Sequence, residues 1–158
     1  MTIMANVYTQ VNIQAVFAVQ GRQNLLSQSV RERLFPYISG ILKNQDIFPL
    51  AVNGWKDHVH IFFEMKPDIS LSKTMELVKT NSSKWINDNG FIKGKFSWQR
   101  GYGAFSYSRS QRNKVINYIM KQEEHHQNYV NTFRVEYLKI LEDFGIEHDT
   151  RYLFEFYD

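Results

Sequence analysis

Residues 57 to 63 read Asp-His-Val-His-Ile-Phe-Phe, and this stretch is the most informative one about the fold. On a β-strand, alternate side chains share a face. Val59, Ile61 and Phe63 therefore form an apolar face that is suited to pack against helices. His58 and His60 project together from the opposite face, where two imidazoles can bind one divalent cation. Two ordinary strand histidines explain this pair equally well when it is taken alone.

The flanking sequence predicts a split βαβ arrangement. Residues 7–19 alternate with a period of two, which is typical of a strand, and residues 23–43 carry an apolar stripe at helical spacing. In chain order, the predicted elements are a strand (7–19), a helix (23–43), two strands (47–53 and 56–65), a helix that begins after Ser70, a last strand (104–108), a long helix from Ser108 or Ser110 to Gln127, and a helix (133–144) that ends at Gly145. We therefore predict an α+β fold, ferredoxin-like or RRM-like, with an antiparallel sheet, additional C-terminal helices, and one domain over residues 1–158.

The charge of the chain is unevenly distributed. The net charge is +3, but residues 79–121 contain nine Lys or Arg residues and one acid, whereas residues 122–158 contain three basic and nine acidic residues. The basic segment predicts a surface that meets a polyanion, although a solvated charged face has the same composition. The lack of cysteine excludes disulfides and thiolate metal sites and is compatible with a cytoplasmic location. No apolar run approaches the roughly 20 residues that span a bilayer, so we expect no membrane segment and no signal peptide.

The predicted helix that reaches Gln127 carries a tyrosine and a glutamine four residues apart. At this spacing, Tyr118 and Gln122 lie on one face of the helix. A tyrosine can be a covalent nucleophile when a metal or a base activates it, and the Gln122 amide oxygen can serve as a third metal ligand. A packed tyrosine is the more common case, and the spacing alone does not decide. His125 and His126, near the helix end, are predicted to be structural.

Four short motifs occur in an order that resembles a known family. They are Asp57-His58-Val59-His60, then residues 81–86 (Asn-Ser-Ser-Lys-Trp-Ile), then Trp98-Gln99 with residues 101–106 (Gly-Tyr-Gly-Ala-Phe-Ser), and then Tyr118-Ile119 with residues 122–126 (Gln-Glu-Glu-His-His). Together they resemble the insertion-sequence-200/605-like transposases of the single-tyrosine HUH superfamily, which is named for its His-hydrophobic-His motif. The resemblance runs from about residue 8 to residue 152. One departure is Lys56, because the family often has Pro before the Asp-His pair.

The resemblance implies a DNA transposase that cleaves and rejoins single-stranded DNA through a 5′-phosphotyrosine intermediate. Tyr118 is the expected nucleophile, and His58, His60 and Gln122 are the expected ligands of Mg²⁺ or Mn²⁺, which polarises the scissile phosphate. Asp57 is expected either to orient a ligand histidine or to cap a turn. The family also implies a homodimer and a partner, single-stranded DNA with hairpins at the element ends. A domesticated relative associated with repeated extragenic palindromes would carry the same motifs.

The basic segment is then expected to follow the DNA backbone. Trp85, Trp98 or Tyr102 are available to stack on unpaired bases, with core packing as the alternative for each and the favoured one for Trp85. The candidate DNA-binding residues are Lys79, Lys84, Lys93, Lys95, Arg100, Arg109, Arg112 and Lys114.

Two other functions fit parts of the sequence. Residues 100–107 resemble the RNP1 motif of an RRM-like module, which would bind RNA or single-stranded DNA without catalysis. Ala104 lacks the aromatic ring that this motif needs, and the segment is predicted to be the last strand rather than the third. The second alternative is a metal-dependent phosphodiesterase, in which water attacks and Tyr118 only packs.

Overall fold

The computed structural model describes residues 6–21, 24–128 and 130–157. Its central sheet consists of β1 (Asn12–Ala18), β2 (Phe48–Gly54), β3 (His58–Glu64) and β4 (Gly103–Tyr107). The strands lie in the order β2-β3-β1-β4, and every neighbouring pair is antiparallel. Two helices, α1 (Gln28–Asn44) and α2 (Leu71–Asp88), connect β1 to β2 and β3 to β4. This is the predicted ferredoxin-like arrangement of strands and helices.

One face of the sheet packs against α1 and α2. Its apolar residues alternate along the strands, as Val59, Ile61 and Phe63 do on β3, and they join the helix stripes in one buried cluster. Both helices begin at capping serines: the Ser27 side chain accepts from the Val30 amide, and Ser70 caps α2 in the same way. The predicted helix start at Gln23 lies outside the described residues.

The other face of the sheet is covered by three helices from the C-terminal part of the chain. These are α3 (Arg112–Met120), which a single 3-10 turn precedes, α4 (Gln122–Gln127) and α5 (Phe133–Asp143). Small apolar clusters attach α3 to Phe62 on β3 and attach α5 to Val16 on β1 and Phe105 on β4. This face is therefore closed, and the histidines of β3 project into the space beneath helices. None of the described helices is long and apolar enough to cross a membrane.

Two predicted elements differ from the structure. The first strand begins at Asn12 instead of residue 7, because the pairing ends there on both sides: Asn12 lies opposite Glu64 at the end of β3 and opposite Tyr107 at the end of β4. The prediction of one continuous helix up to Gln127 is wrong. The helix breaks at Lys121, where the backbone turns to φ −100° and ψ 17°.

A tertiary contact accompanies the break. The last carbonyls of a helix have no partner within the helix and need one elsewhere. The Asn53 side chain, on β2, donates a hydrogen bond to the Ile119 carbonyl at 2.9 Å and so satisfies a carbonyl at the end of α3. Since Asn53 is 66 residues away in sequence, no local pattern indicates this contact.

Candidate metal and nucleophile centre

His58 and His60 are fully buried on β3, with their ring centroids 5.1 Å apart. The Nε2 atoms of both rings face one oxygen, Oε1 of Glu136 on α5, at 2.9 Å from His58 and 3.2 Å from His60. One ligand atom from each of the three residues lies within 4.8 Å of the other two. Two imidazoles and a carboxylate at this spacing can hold a divalent cation.

Buried hydrogen bonds orient both rings. The Nδ1–H of His58 donates to Oδ1 of Asp57 at 2.7 Å, which holds the ring with its Nε2 turned toward Glu136. This contact agrees with the predicted orienting role of Asp57. Nδ1 of His60 lies 3.0 Å from Nε2 of Gln14, whose Oε1 accepts a hydrogen bond from the Tyr107 hydroxyl at 2.7 Å. No local pattern singles out Gln14, because its partners lie on two other strands.

Tyr118 and Gln122 reach the same carboxylate from the other side. The Tyr118 hydroxyl donates a short hydrogen bond to Oε2 of Glu136, and Nε2 of Gln122 donates to this oxygen at 2.7 Å. The Gln122 Oε1 lies 2.9 Å from Nε2 of His58. The structure therefore brings the predicted nucleophile and all three predicted metal ligands together within one chain, with Glu136 at the centre.

The charges of the cluster shift the pKa values of its members. Burial lowers the pKa of His58, but the hydrogen bonds and charges of Asp57 and Glu136 outweigh it and raise the value to about 9. For His60, burial dominates and lowers the pKa. Burial raises the pKa of Glu136, yet the surrounding imidazoles hold it well below its usual range, so this carboxyl is ionised. Burial, and then the charge of Glu136, raise the pKa of the Tyr118 phenol, which is therefore protonated at neutral pH.

Two further residues of the cluster, His126 and Glu136, were not among the site residues expected from the sequence. His126, predicted to be structural at a helix end, is buried, and its Nε2 lies 3.0 Å from Oε1 of Glu136. His125, His126 and Glu136 form a second group with metal-ligand spacing. Glu136 did leave a signal, since it lies three residues after Phe133 and four before Ile140 on the buried stripe of α5. A charged residue on such a stripe is rarely buried without a partner.

A cavity of about 380 Å³ opens beside this centre. Its walls are α3 and α5, with Gln14 and Tyr107 at the sheet and with Tyr118 and Glu136 at the inner end. The cavity provides an approach to the phenol from outside.

The sequence model of a protein family described as "Transposase IS200 like" matches residues 7–122 of the chain. The chain belongs to the IS200-like transposase family. The match includes β3, α2, β4 and α3 and ends at Gln122, so it contains His58, His60 and Tyr118 but neither His126 nor Glu136. No curated protein matches this transposase in sequence.

Two solved structures share the fold at low sequence identity. A candidate transposase from Deinococcus radiodurans R1 is 18% identical with a TM-score of 0.62, and the similarity covers 77% of this chain and 98% of that one. A REP-associated tyrosine transposase bound to a REP hairpin is 14% identical with a TM-score of 0.57, covering 100% of this chain and 98% of that one. Both likenesses support the fold of the transposase, and the second extends over its C-terminal helices.

The basic residues predicted to contact DNA differ in their surroundings. Lys114 lines the cavity beside Tyr118. Two of the others are held within the protein: Lys79 donates to the carbonyls of Gln99 and Gly101 at 2.7 and 2.8 Å, and Arg112 pairs with Glu64. Lys84 pairs with an acid on its own helix at 2.5 Å. The remaining four are exposed on the surface: Lys93, Lys95, Arg100 and Arg109.

The predicted stacking aromatics are largely engaged in packing. Trp98 is buried and donates from its indole nitrogen to the Ser82 hydroxyl at 2.9 Å, so the suggestion that it stacks on DNA bases is wrong. Trp85 is half-buried and stacks on Tyr37 with ring centroids 4.4 Å apart. Tyr102 is half-buried against the same core.

Proposed function

We propose that this transposase cleaves and rejoins single-stranded DNA through a 5′-phosphotyrosine intermediate on Tyr118, with the help of a divalent cation. One observation carries the proposal: the hydroxyl of Tyr118 and Nε2 of His58 and His60 all contact the same carboxylate, Glu136. A phenol that only packs has no need of a buried anion and two imidazoles around it, because burying such charges is costly unless they are used.

The donor set fits Mg²⁺ or Mn²⁺. His58, His60 and Gln122 are the proposed ligands, and Glu136 adds a carboxylate oxygen next to both histidines. Mixed imidazole and oxygen donors suit such ions, while a structural zinc site in a cysteine-free chain would need a closed tetrahedral set. When bound, the cation polarises the scissile phosphate and stabilises the charge that develops on its oxygens.

In the proposed reaction, each bond that forms is matched by one that breaks, and the protein and the DNA supply the groups that exchange protons. The phenolic oxygen of Tyr118 forms a bond to phosphorus, and the bond between phosphorus and the 3′ oxygen breaks. Oε2 of Glu136, which already accepts the phenol hydrogen, receives the proton, and the leaving 3′ oxygen takes up a proton to become a hydroxyl. One phosphodiester replaces another, so attack by a second 3′-hydroxyl reverses the step on a new strand without ATP.

Single-stranded DNA with hairpins at its ends is the proposed partner. The exposed basic residues between α2 and α3 give the positive charge that a DNA backbone requires. The similarity to a protein bound to a REP hairpin supports a folded DNA end as the substrate. We further propose a homodimer, which analytical ultracentrifugation of the free and DNA-bound protein would test.

The reaction is tested with labelled single-stranded DNA from the flanks of the gene, incubated with and without Mg²⁺ or Mn²⁺. We expect a covalent protein–DNA adduct that needs the metal and that Tyr118→Phe abolishes. The control is Tyr37→Phe, which alters an exposed tyrosine on α1 and should leave the adduct yield unchanged.

The same experiment separates the alternative functions. Metal-dependent cleavage that survives in Tyr118→Phe without any adduct would indicate a phosphodiesterase. Binding without cleavage under all conditions would indicate an RRM-like binding module. Either result would contradict the proposal.

A further inference from the structure

The cavity beside Tyr118 has the composition of a site for a flat, largely apolar ligand. Its volume of about 380 Å³ lies within the range of roughly 300–1,000 Å³ of small-molecule pockets. Three aromatic residues border it from different elements: Tyr107 from β4, Tyr118 from α3 and Phe144 from the end of α5. Aromatic and aliphatic walls of this kind bind the faces of planar rings.

The inner wall of the cavity offers few free polar groups. The Tyr107 hydroxyl donates to Oε1 of Gln14, and Nε2 of Gln14 lies against His60, so these groups are already paired. Burial raises the pKa of Tyr107 to about 12, which keeps its hydroxyl a donor at neutral pH. A ligand in this cavity is therefore held mainly by ring contact, which tolerates any of the four bases.

Charged side chains of both signs line the cavity, namely two lysines and the carboxylates of Glu136 and Asp143. Lys114 lies on the α3 wall and Lys139 on the α5 wall, where Lys139 is 3.5 Å from Asp143. Lys139 is therefore already paired with an acid, and Lys114 on the other wall is placed to contact a phosphate of a nucleotide whose base points inward. The largely apolar walls and the Lys114 ammonium group together fit a nucleotide better than an uncharged apolar ligand.

We propose that this cavity, between α3 and α5, binds one unstacked base of single-stranded DNA, from a nucleotide directly bonded to the scissile phosphate. The inference rests on the proposed function, because it takes Tyr118 as the attacking group. The nucleophile borders the cavity, so a base in it places its own phosphate next to the phenol. Bases of a duplex are stacked and paired and cannot enter, and this explains a preference for single strands without base-specific contacts.

The first test removes the base. Once the cleaved phosphate has been mapped, oligonucleotides with an abasic residue on its 5′ or its 3′ side are compared with the intact strand. Loss of the bound base should slow adduct formation by about 5- to 150-fold, which corresponds to about 1–3 kcal/mol of stacking. An abasic residue four nucleotides away should change the rate by less than about threefold. Equal rates for all these strands would overturn the proposal.

The second test fills the cavity. Val135 lies on the α5 wall and is 50% exposed, so Val135→Trp occupies the cavity without entering the core. This variant should slow the reaction of the intact strand and remove the difference between the intact and abasic strands. Val130→Trp is the matched control, because Val130 is similarly exposed and does not line the cavity. A Val135→Trp enzyme that still discriminates against the abasic strand would contradict the inference.

A binding measurement keeps the two proposals separable. Oligonucleotides carrying 2-aminopurine at successive positions are bound to the Tyr118→Phe protein, and the fluorescence reports whether a base leaves the stack. We expect one position to respond, and the response to disappear in the Val135→Trp form. Should the wild-type protein form no adduct while this response persists, the phosphotyrosine chemistry fails and the base site stands. An adduct without any such response would leave the chemistry intact and refute the base site.

Discussion

The two faces of the sheet are built for different purposes. On the α1/α2 face, β3 contributes Val59, Ile61 and Phe63 to a continuous apolar cluster. On the α3–α5 face, the same strand contributes His58 and His60 to a buried polar cluster, with smaller apolar clusters beside it. We therefore expect the α1/α2 face to supply most of the stability, whereas the α3–α5 face buries charged groups and brings them together at a cost in stability.

The largest expected effect lies on the α1/α2 face. Phe63 is fully buried, and Phe63→Ala should lower the free energy of unfolding by about 3–5 kcal/mol. The matched control is Phe48→Ala at a β2 position that is 62% exposed, which should change stability by less than about 0.5 kcal/mol. Urea unfolding followed by circular dichroism measures both. A loss below 1 kcal/mol for Phe63→Ala would contradict the expectation that the α1/α2 face supplies most of the stability.

The polar cluster should make the stability of the metal-free protein depend on pH. The pKa of His58 is raised from 6.5 to about 9, so its stabilising contribution is complete below about pH 6.5 and is lost as the pH rises through 9. At about 1.4 kcal/mol per unit, the loss is on the order of 3 kcal/mol. Thermal unfolding between pH 6.5 and 9.5 measures it. Asp57→Asn removes one cause of the raised pKa and should flatten this profile, and an unchanged slope would speak against the assignment to His58.

Gly103 controls how closely α5 approaches the sheet. A Cβ at this position would lie 2.4 Å from the Tyr137 hydroxyl oxygen, so Gly103→Ala forces this side chain to shift and disturbs the packing of α5, which also carries Glu136, against the sheet. We expect a loss of about 1–3 kcal/mol and weaker Mn²⁺ binding in a calorimetric titration. Adding Tyr137→Phe, which removes the clashing oxygen, should restore part of both. Gly40→Ala is the control, since a Cβ there meets no other atom.

The smallest expected effect concerns the end of α3. Asn53→Ala removes the donor that satisfies the Ile119 carbonyl and should cost about 1 kcal/mol. Because this contact fixes the break before α4, adduct formation should fall more than the stability loss alone explains. Asn113→Ala, at an exposed position of α3, serves as the comparison. Equal adduct yields for both variants at matched folded fractions would show that the break does not position the centre.

Much of the fold follows from local sequence patterns. The alternation along β3 separates an apolar face from the histidine pair, and the stripes of α1 and α2, with Ser27 and Ser70 as caps, indicate the helices that cover the apolar face. These features depend on residues that are close in sequence, so their periods of two and 3.6 reveal them. The histidine pair, the tyrosine and the glutamine were also identifiable as residues, because they form spaced motifs.

The place where these residues meet depends on packing between elements that are distant in sequence. Glu136 belongs to a helix that follows the matched family region, and its contacts with His58, His60 and Tyr118 span 78, 76 and 18 residues. The start of β1 and the break at Lys121 depend in the same way on partners on other strands. Sequence periodicity records which face a side chain takes on its own element. Which faces come to oppose each other depends on packing between distant elements, and this packing makes Glu136 the centre of the site.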